Sequence, residues 1–452
     1  MGAGFATGPH FTGKLFGIMN IFLSLARILW GDVTKDEIRH FGLLSLISFS
    51  FIGTYSMLRP LKEILFMHFV DKFHLPNAKI ASFLVMIPLT LLYSELSDRV
   101  EKHQLFYIFC SGYGLFFMLL ATLLASPQIG LTASPENVFP LIGWMFYIGI
   151  ESFIMIMLTL FWSFVASSSK SESAQRCYPL IVAVTQIASI IGPEFIKNSH
   201  LFSIPAVIFG ASLTMFFVII IVRLLVVFNP SIIKIQPSQH RPTGPIEGLR
   251  LIATRPYLLA FIATTALYTM VTAILEYQLM HRVAEQFTSL EEMARFTGSL
   301  VQTTNFVALL FALIGSSFFM RNFGVRFCMV GFPLLVLGVI CYVWHYPTLW
   351  MLFAGIVTLK SLSYALNSPC KETLYIPTSL DVKFKAKSWI DGFGYRGFLA
   401  IGASINKLFA STTSLMAFGP VLAMSMCSVW AIIAWYLGTK NRQLIAEKKI
   451  ID

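Results

Sequence analysis

The sequence predicts an all-α polytopic membrane protein with twelve transmembrane helices in two six-helix halves. Three observations carry that expectation: the overall composition, the length of the apolar runs, and the side on which the basic residues fall. Of 452 residues, 56% are hydrophobic, 14% aromatic and only 12% charged, and the mean hydropathy is +0.74. Such a chain has too little polar surface to coat a water-soluble domain of its size, which excludes ordinary soluble enzymes and binding modules.

Apolar runs of about 18–25 residues, the length that crosses a hydrocarbon core, occur at 41–66, 78–96, 104–126, 138–166, 178–196 and 201–228. A second series follows at 257–280, 297–320, 327–344, 349–366, 389–410 and 416–437. The expected organisation is a cytoplasmic N-terminal segment (1–40), a six-helix half (41–228), a linker (229–256), a second half (257–437) and a basic cytoplasmic tail (438–452). Residues 11–30 carry Lys14 and Arg27 and end without a small-residue cleavage site, so they read as an interfacial helix or flexible lead-in rather than a removed signal. The linker, with Pro230, Pro237, Pro242 and Pro245 among basic residues, reads as a solvated hinge.

Basic residues accumulate in short cytoplasmic loops. In a twelve-span layout Lys35, Arg39, Arg99, Lys102, Lys170, Arg176, the linker set, Arg321, Arg326, Lys383, Lys385, Lys387, Lys440 and Arg442 all fall on one side. The opposite loops keep only Lys72, Lys79, Lys197, Arg282 and Arg295. An odd number of spans would scramble this pattern, so both termini are expected in the cytoplasm. The net charge of +11 then serves topology rather than nucleic acid, because it is scattered over these loops. The six cysteines form no CxxC pair and read as small core residues, and no metal or cofactor is expected.

The halves resemble each other. A shift of about 213 residues sets Tyr55 on Tyr268, Met57 on Met270, Glu63 on Glu276, Met67 on Met280 and His68 on His281. Two halves of like orientation are the parallel repeat of the major facilitator architecture, whose solute site lies near the midplane between them. The charges that this layout puts inside the membrane are Arg59, Lys62, Glu63, Glu151, Glu276, Lys360 and Arg396, with Glu194 and Arg223 nearer helix ends. Each costs roughly 2.5–3.5 kcal/mol at mid-membrane on insertion scales, so such residues face a bundle interior or a wet cavity. Arg59 and Lys62, three apart, share a helix face and could clamp a phosphate, with Arg as a planar fork and Lys as a point charge. A purely structural ion pair, such as Lys62 with Glu151 or Glu276, is the alternative use. Tyr55, Trp162, Tyr268, Tyr364 and Tyr395 are candidates for stacking a base.

These residues also match a family. Tyr55-Ser-Met-Leu-Arg-Pro-Leu-Lys-Glu63 resembles the first-span signature of the ATP/ADP translocases of plastids and obligate intracellular bacteria. Phe161-Trp-Ser-Phe-Val-Ala166, Tyr178-Pro-Leu180 and Pro369-Cys-Lys-Glu-Thr-Leu-Tyr-Ile-Pro377 resemble further segments of the same family. The resemblance implies a nucleotide transporter working by alternating access, with ATP/ADP exchange the leading activity. It carries Arg59, Lys62, Glu151, Glu276, Lys360 and Lys371 over as substrate-binding residues. Tyr55, Trp162 and Arg396 join them as candidates from the residue reading. The chain departs from the family pattern at Ser167, Gln186 and Ser368, and at Gly397-Phe-Leu-Ala-Ile, where a Gly-Lys-Ser-Gly-Gly stretch is expected and Arg396 stands just upstream. Proton-coupled import of a nucleotide or NAD therefore stays open beside exchange. A receptor or scaffold without flux is the alternative of another class. An enzyme is not expected, since no nucleophile–base pair or metal-spaced cluster occurs. The expected partners are a nucleotide and the lipid bilayer, in a monomer of a bacterial inner membrane.

Overall fold

In a bilayer every backbone N–H and C=O must be satisfied within the chain, so a sequence this apolar has helices as its natural spanning element. The computed structural model describes residues 35–133, 139–168, 171–198, 202–228, 250, 252–314, 316–375, 377–378, 390, 394–409 and 411–447. The first six spans are α1 (Lys35–Phe69), α2 (Leu75–Arg99), α3 (Lys102–Ala125), α4 (Pro140–Ser168), α5 (Ser171–Lys197) and α6 (Ile204–Phe228). The next three are α7 (Pro256–Gln286), α8 (Leu290–Ile314) and α9 (Ser316–His345). The tenth is composite: α10 (Leu349–Leu362) passes through a π-helical turn (Ser363–Asn367) into α11 (Ser368–Leu374). The eleventh and twelfth are α12 (Tyr395–Asn406) and α13 (Thr412–Ala446).

Eight of these helices are long and apolar enough to cross a membrane by composition alone. The other four spans, α5, α8, α10–α11 and α12, are more polar or shorter, and they include the helices that carry Gln302, Asn305, Lys360 and Arg396 toward the centre of the molecule. Large side chains such as Leu91, Val227, Phe418 and Ile432 remain well exposed on the outer faces, as a lipid-facing surface requires.

Several boundaries differ from expectation, among them α1, which starts at Lys35 rather than 41, and α5, which starts at Ser171 rather than 178. The eighth span begins at Leu290 rather than 297, because Ser289 Oγ accepts the Glu291 N–H at 3.2 Å and two acidic residues occupy the first turn. The turn expected at 321–326 is present at Gly324, whose φ of 80° breaks α9 into two helical stretches in a conformation few other residues adopt. The twelfth helix continues past 437 and takes Lys440 and Arg442 with it, so the tail is helical as far as Ala446. The interfacial helix expected at 11–30, most of the linker and the lysines at 383–387 lie outside the described residues.

Two apolar clusters hold the helices together. One is built almost wholly from α1 to α6. The other is built from α7 onward, with Phe66, Leu75, Ala78 and Tyr147 joining from the first six spans. Small residues set the tightest crossings: a Cβ on Gly192 would sit 2.6 Å from the Gly53 carbonyl oxygen of α1. At the corresponding crossing in the later helices, a Cβ on Gly402 of α12 would meet the Met270 Cα of α7 at 3.0 Å. Gly192→Ala should therefore force α5 off α1 and cost about 1–3 kcal/mol, the usual range for overpacking. An unchanged midpoint of heat-induced unfolding in detergent would show that the crossing yields freely.

Candidate substrate-binding site

The helical spacing of α1 stacks Tyr55, Arg59, Lys62 and Glu63 on one face. The same period aligns Tyr147, Glu151, Ile154 and Leu158 on α4, and Tyr268, Thr272, Glu276 and Leu279 on α7. These three stripes face one hollow of about 380 Å³, closed further by Lys79, Lys360, Tyr364, Tyr395 and Arg396. Tyr364 and Tyr395 are 53% and 44% exposed, so their rings stand open to the space of the hollow.

Its charges are organised around two carboxylates. Glu151 Oε1 receives the Lys62 ammonium, and its Oε2 accepts from Arg396 Nη1 at 3.2 Å. Glu276 Oε1 pairs with Lys360 Nζ, and its Oε2 accepts from Lys79 Nζ at 3.3 Å. The two clusters mirror each other with the signs exchanged: the first span gives the cation and the fourth the acid, whereas the seventh gives the acid and the tenth the cation. A second cation then reaches each acid from the other set of six spans, Arg396 from α12 and Lys79 from α2.

Five cations (Arg59, Lys62, Lys79, Lys360, Arg396) thus face three carboxylates (Glu63, Glu151, Glu276) in the lining, a surplus of two positive charges. Arg59 and Glu63 stand outside the pairs. Among the described residues no carboxylate lies within 4 Å of Arg59, whose guanidinium carbon sits 6.0 Å from the centre of the Tyr55 ring. The hollow can therefore offer a planar fork and flanking ammonium groups to a polyanion, with tyrosine rings beside them.

Seven of the nine residues singled out from the sequence meet here: Tyr55, Arg59, Lys62, Glu151, Glu276, Lys360 and Arg396. Two do not. Lys371 lies one layer out, with its ammonium 5.7 Å from the ring of Tyr268, and that ring lines the hollow. Trp162 sits one turn beyond Leu158, past the rim and against Phe161. The sequence counts Lys79 among the loop residues because it stands near the start of a span, yet its side chain is 8% exposed and bound to Glu276. A lysine one residue inside the apolar run that begins at 78 is the signal that could have found it.

Away from the hollow, the six-helix sets are also tied at the end opposite the start of α1 and the last turns of α13. Gln302 of α8 donates to Glu194 Oε2 at 2.7 Å and accepts from Lys197 Nζ at 2.7 Å, both on α5. Asn305 donates to the Ser189 carbonyl at 2.8 Å, and Lys72 faces Glu285 at 3.7 Å.

The family model described as "TLC ATP/ADP transporter" matches residues 19–135 and 142–346, well over half of the chain. The chain belongs to the TLC ATP/ADP transporter family. Among curated relatives, an ADP,ATP carrier protein 3 of Rickettsia bellii is 22% identical over 90% of this chain and 95% of its own length. The chloroplastic ADP,ATP carrier protein 2 of Arabidopsis thaliana is 22% identical over 90% of this chain and 75% of its own. Solved structures share the fold: a bacterial homologue of the iron transporter ferroportin, in an inward-facing state, superposes with a TM-score of 0.62 at 13% identity, covering 90% of this chain and all of its own. The nucleoside transporter NupG gives 0.58 at 12%, covering 91% of this chain and 100% of its own. This TLC protein is accordingly a multi-pass, major-facilitator-like membrane transporter and not an enzyme.

Proposed function

We propose that the chain carries adenine nucleotides across a bilayer by alternating access, exchanging ATP for ADP through the charged hollow. The observation that carries this reading is the surplus of two positive charges around one cavity, with Arg59 outside the ion pairs among the described residues, in a member of a nucleotide-carrier family. Phosphate oxygens would meet Arg59 first and then compete with Glu151 and Glu276 for the four cations that these acids hold.

The moving parts are the two six-helix halves, 41–228 and 257–437, joined by the linker at 229–256. The pairs Arg396–Glu151 and Lys79–Glu276 run between the halves, so rocking the empty carrier would pull apart charges in a region of low dielectric. Breaking such a buried pair costs about 3–5 kcal/mol. A bound nucleotide supplies substitute anions to Arg396 and Lys79, and the barrier falls only when it is present. That coupling makes exchange, rather than net flow, the default.

The contacts among Gln302, Glu194, Lys197 and Asn305 close one end, and the basic-loop pattern assigns that end to the outside of a bacterial inner membrane. Both termini are then cytoplasmic and the hollow faces inward. Each chain contains a complete hollow, which favours a monomer as the working unit.

One observation favours a second reading. Glu63 lines the hollow with no ion-pair partner among the described residues, so it is available to carry a proton in a symport cycle. Uptake of labelled ATP into proteoliposomes separates the two. Exchange requires internal ADP and is indifferent to a pH gradient, whereas symport proceeds into empty vesicles and follows the gradient. Flux into neither loaded nor empty vesicles would sink both.

A further inference from the structure

A second cavity, of about 700 Å³, shares no lining residue with the charged hollow and lies between α9 and the last turns of α13. Its walls are mostly apolar, with Phe323, Phe327 and Trp435 all about half exposed. Two arginines, Arg326 and Arg442, stand in the same lining, and neither has a carboxylate within ion-pair distance among the described residues. Arg326 is held in place: its guanidinium carbon lies 3.5 Å from the centre of the Trp435 ring.

The local backbone explains why the cavity exists. Gly324 breaks α9 just before Arg326. Gly438 lets the helices touch at the floor, where an added Cβ would meet the Arg326 Cα at 3.0 Å. Beside this floor Asn441, only 2% exposed, leaves its Oδ1 without a hydrogen-bond partner among the described residues. An amide buried in this way expects a polar neighbour.

We propose that this cavity is a binding site for an anionic phospholipid of the surrounding leaflet, its phosphodiester between Arg326 and Arg442 and its acyl chains along Phe323, Phe327 and Leu334. Charge and shape fit that occupant together. The apolar wall opens to the bilayer at helix-end depth, where a basic cleft between transmembrane helices meets lipid headgroups. A water-soluble nucleotide would have to hold its polar ribose and base edges against an apolar wall facing lipid, and a second copy of the chain would bury two arginines without ion-pair partners among the described residues.

The test is native mass spectrometry of the full-length transporter, purified in mild detergent and incubated with equimolar phosphatidylglycerol and phosphatidylcholine. Each basic residue near an anionic surface contributes a factor of about five, so the wild type should retain phosphatidylglycerol over phosphatidylcholine by about thirtyfold more than Arg326→Gln/Arg442→Gln does. Equal retention in the variant, or no preference in the wild type, overturns the proposal. A measurement free of arginine variants stands beside it. In nanodiscs, the part of the tryptophan fluorescence that Trp435→Phe removes should be quenched more by brominated phosphatidylglycerol than by brominated phosphatidylcholine at the same mole fraction. Equal quenching overturns it as well.

Discussion

Replacing Glu276 with Gln should lower the stability of the empty carrier by about 3–5 kcal/mol and, at the same time, enlarge the stabilisation that ADP provides. The substitution keeps the side chain's shape and removes only its charge. Lys79 and Lys360, 8% and 16% exposed, would then share a hollow without their common anion. Destabilisation alone would fit any buried ion pair. The second half of the result distinguishes a substrate site: if phosphates take the place that the carboxylate vacates, nucleotide raises the melting temperature of Glu276→Gln by more than it raises that of the wild type. Equal shifts in the two proteins would mean that the acid and the nucleotide never compete. Exchange in proteoliposomes should also slow, since the acid that displaces the phosphates is gone.

Arg59→Ala should behave in the opposite way. Charge-assisted hydrogen bonds contribute about 1.5–3 kcal/mol, so losing the guanidinium should weaken ADP binding by roughly 10–150-fold. Stability without nucleotide should hold or rise slightly, because Arg59 has no carboxylate within 4 Å among the described residues and removing it leaves none of their charges stranded. Isothermal titration beside a thermal melt reads both quantities. A variant that melts early and binds ADP normally would make Arg59 a structural residue and remove the central element of the proposed site.

Much of this arrangement could be read along the chain, and the part that could not has physical causes. The stripe of Tyr55, Arg59, Lys62 and Glu63 is legible because helical spacing alone puts those residues on one face and the membrane makes charges there expensive. Which cation meets which acid was not legible. The pairs Lys79–Glu276 and Arg396–Glu151 link residues 197 and 245 positions apart, and no local pattern encodes such a partner. Trp162 shares the helical face of Glu151 and Leu158, but a periodicity gives a face and not a depth, and the hollow ends a turn before it. Lys371 stands eleven residues after Lys360, which would share a face on an unbroken helix; the π-helical turn at Ser363–Asn367 intervenes and leaves Tyr268 between that ammonium and the hollow.

The imbalance of five cations against three acids also bears on how the transporter is handled in solution. Any small multivalent oxyanion sees the same attraction as a polyphosphate tail, only with fewer contacts. Phosphate or sulfate in a purification buffer should therefore occupy the hollow, raise the apparent thermal stability of a preparation thought to be unliganded, and weaken measured nucleotide affinities in proportion to their concentration. Gluconate or chloride buffers of matched ionic strength would leave the lining free to report its own preference.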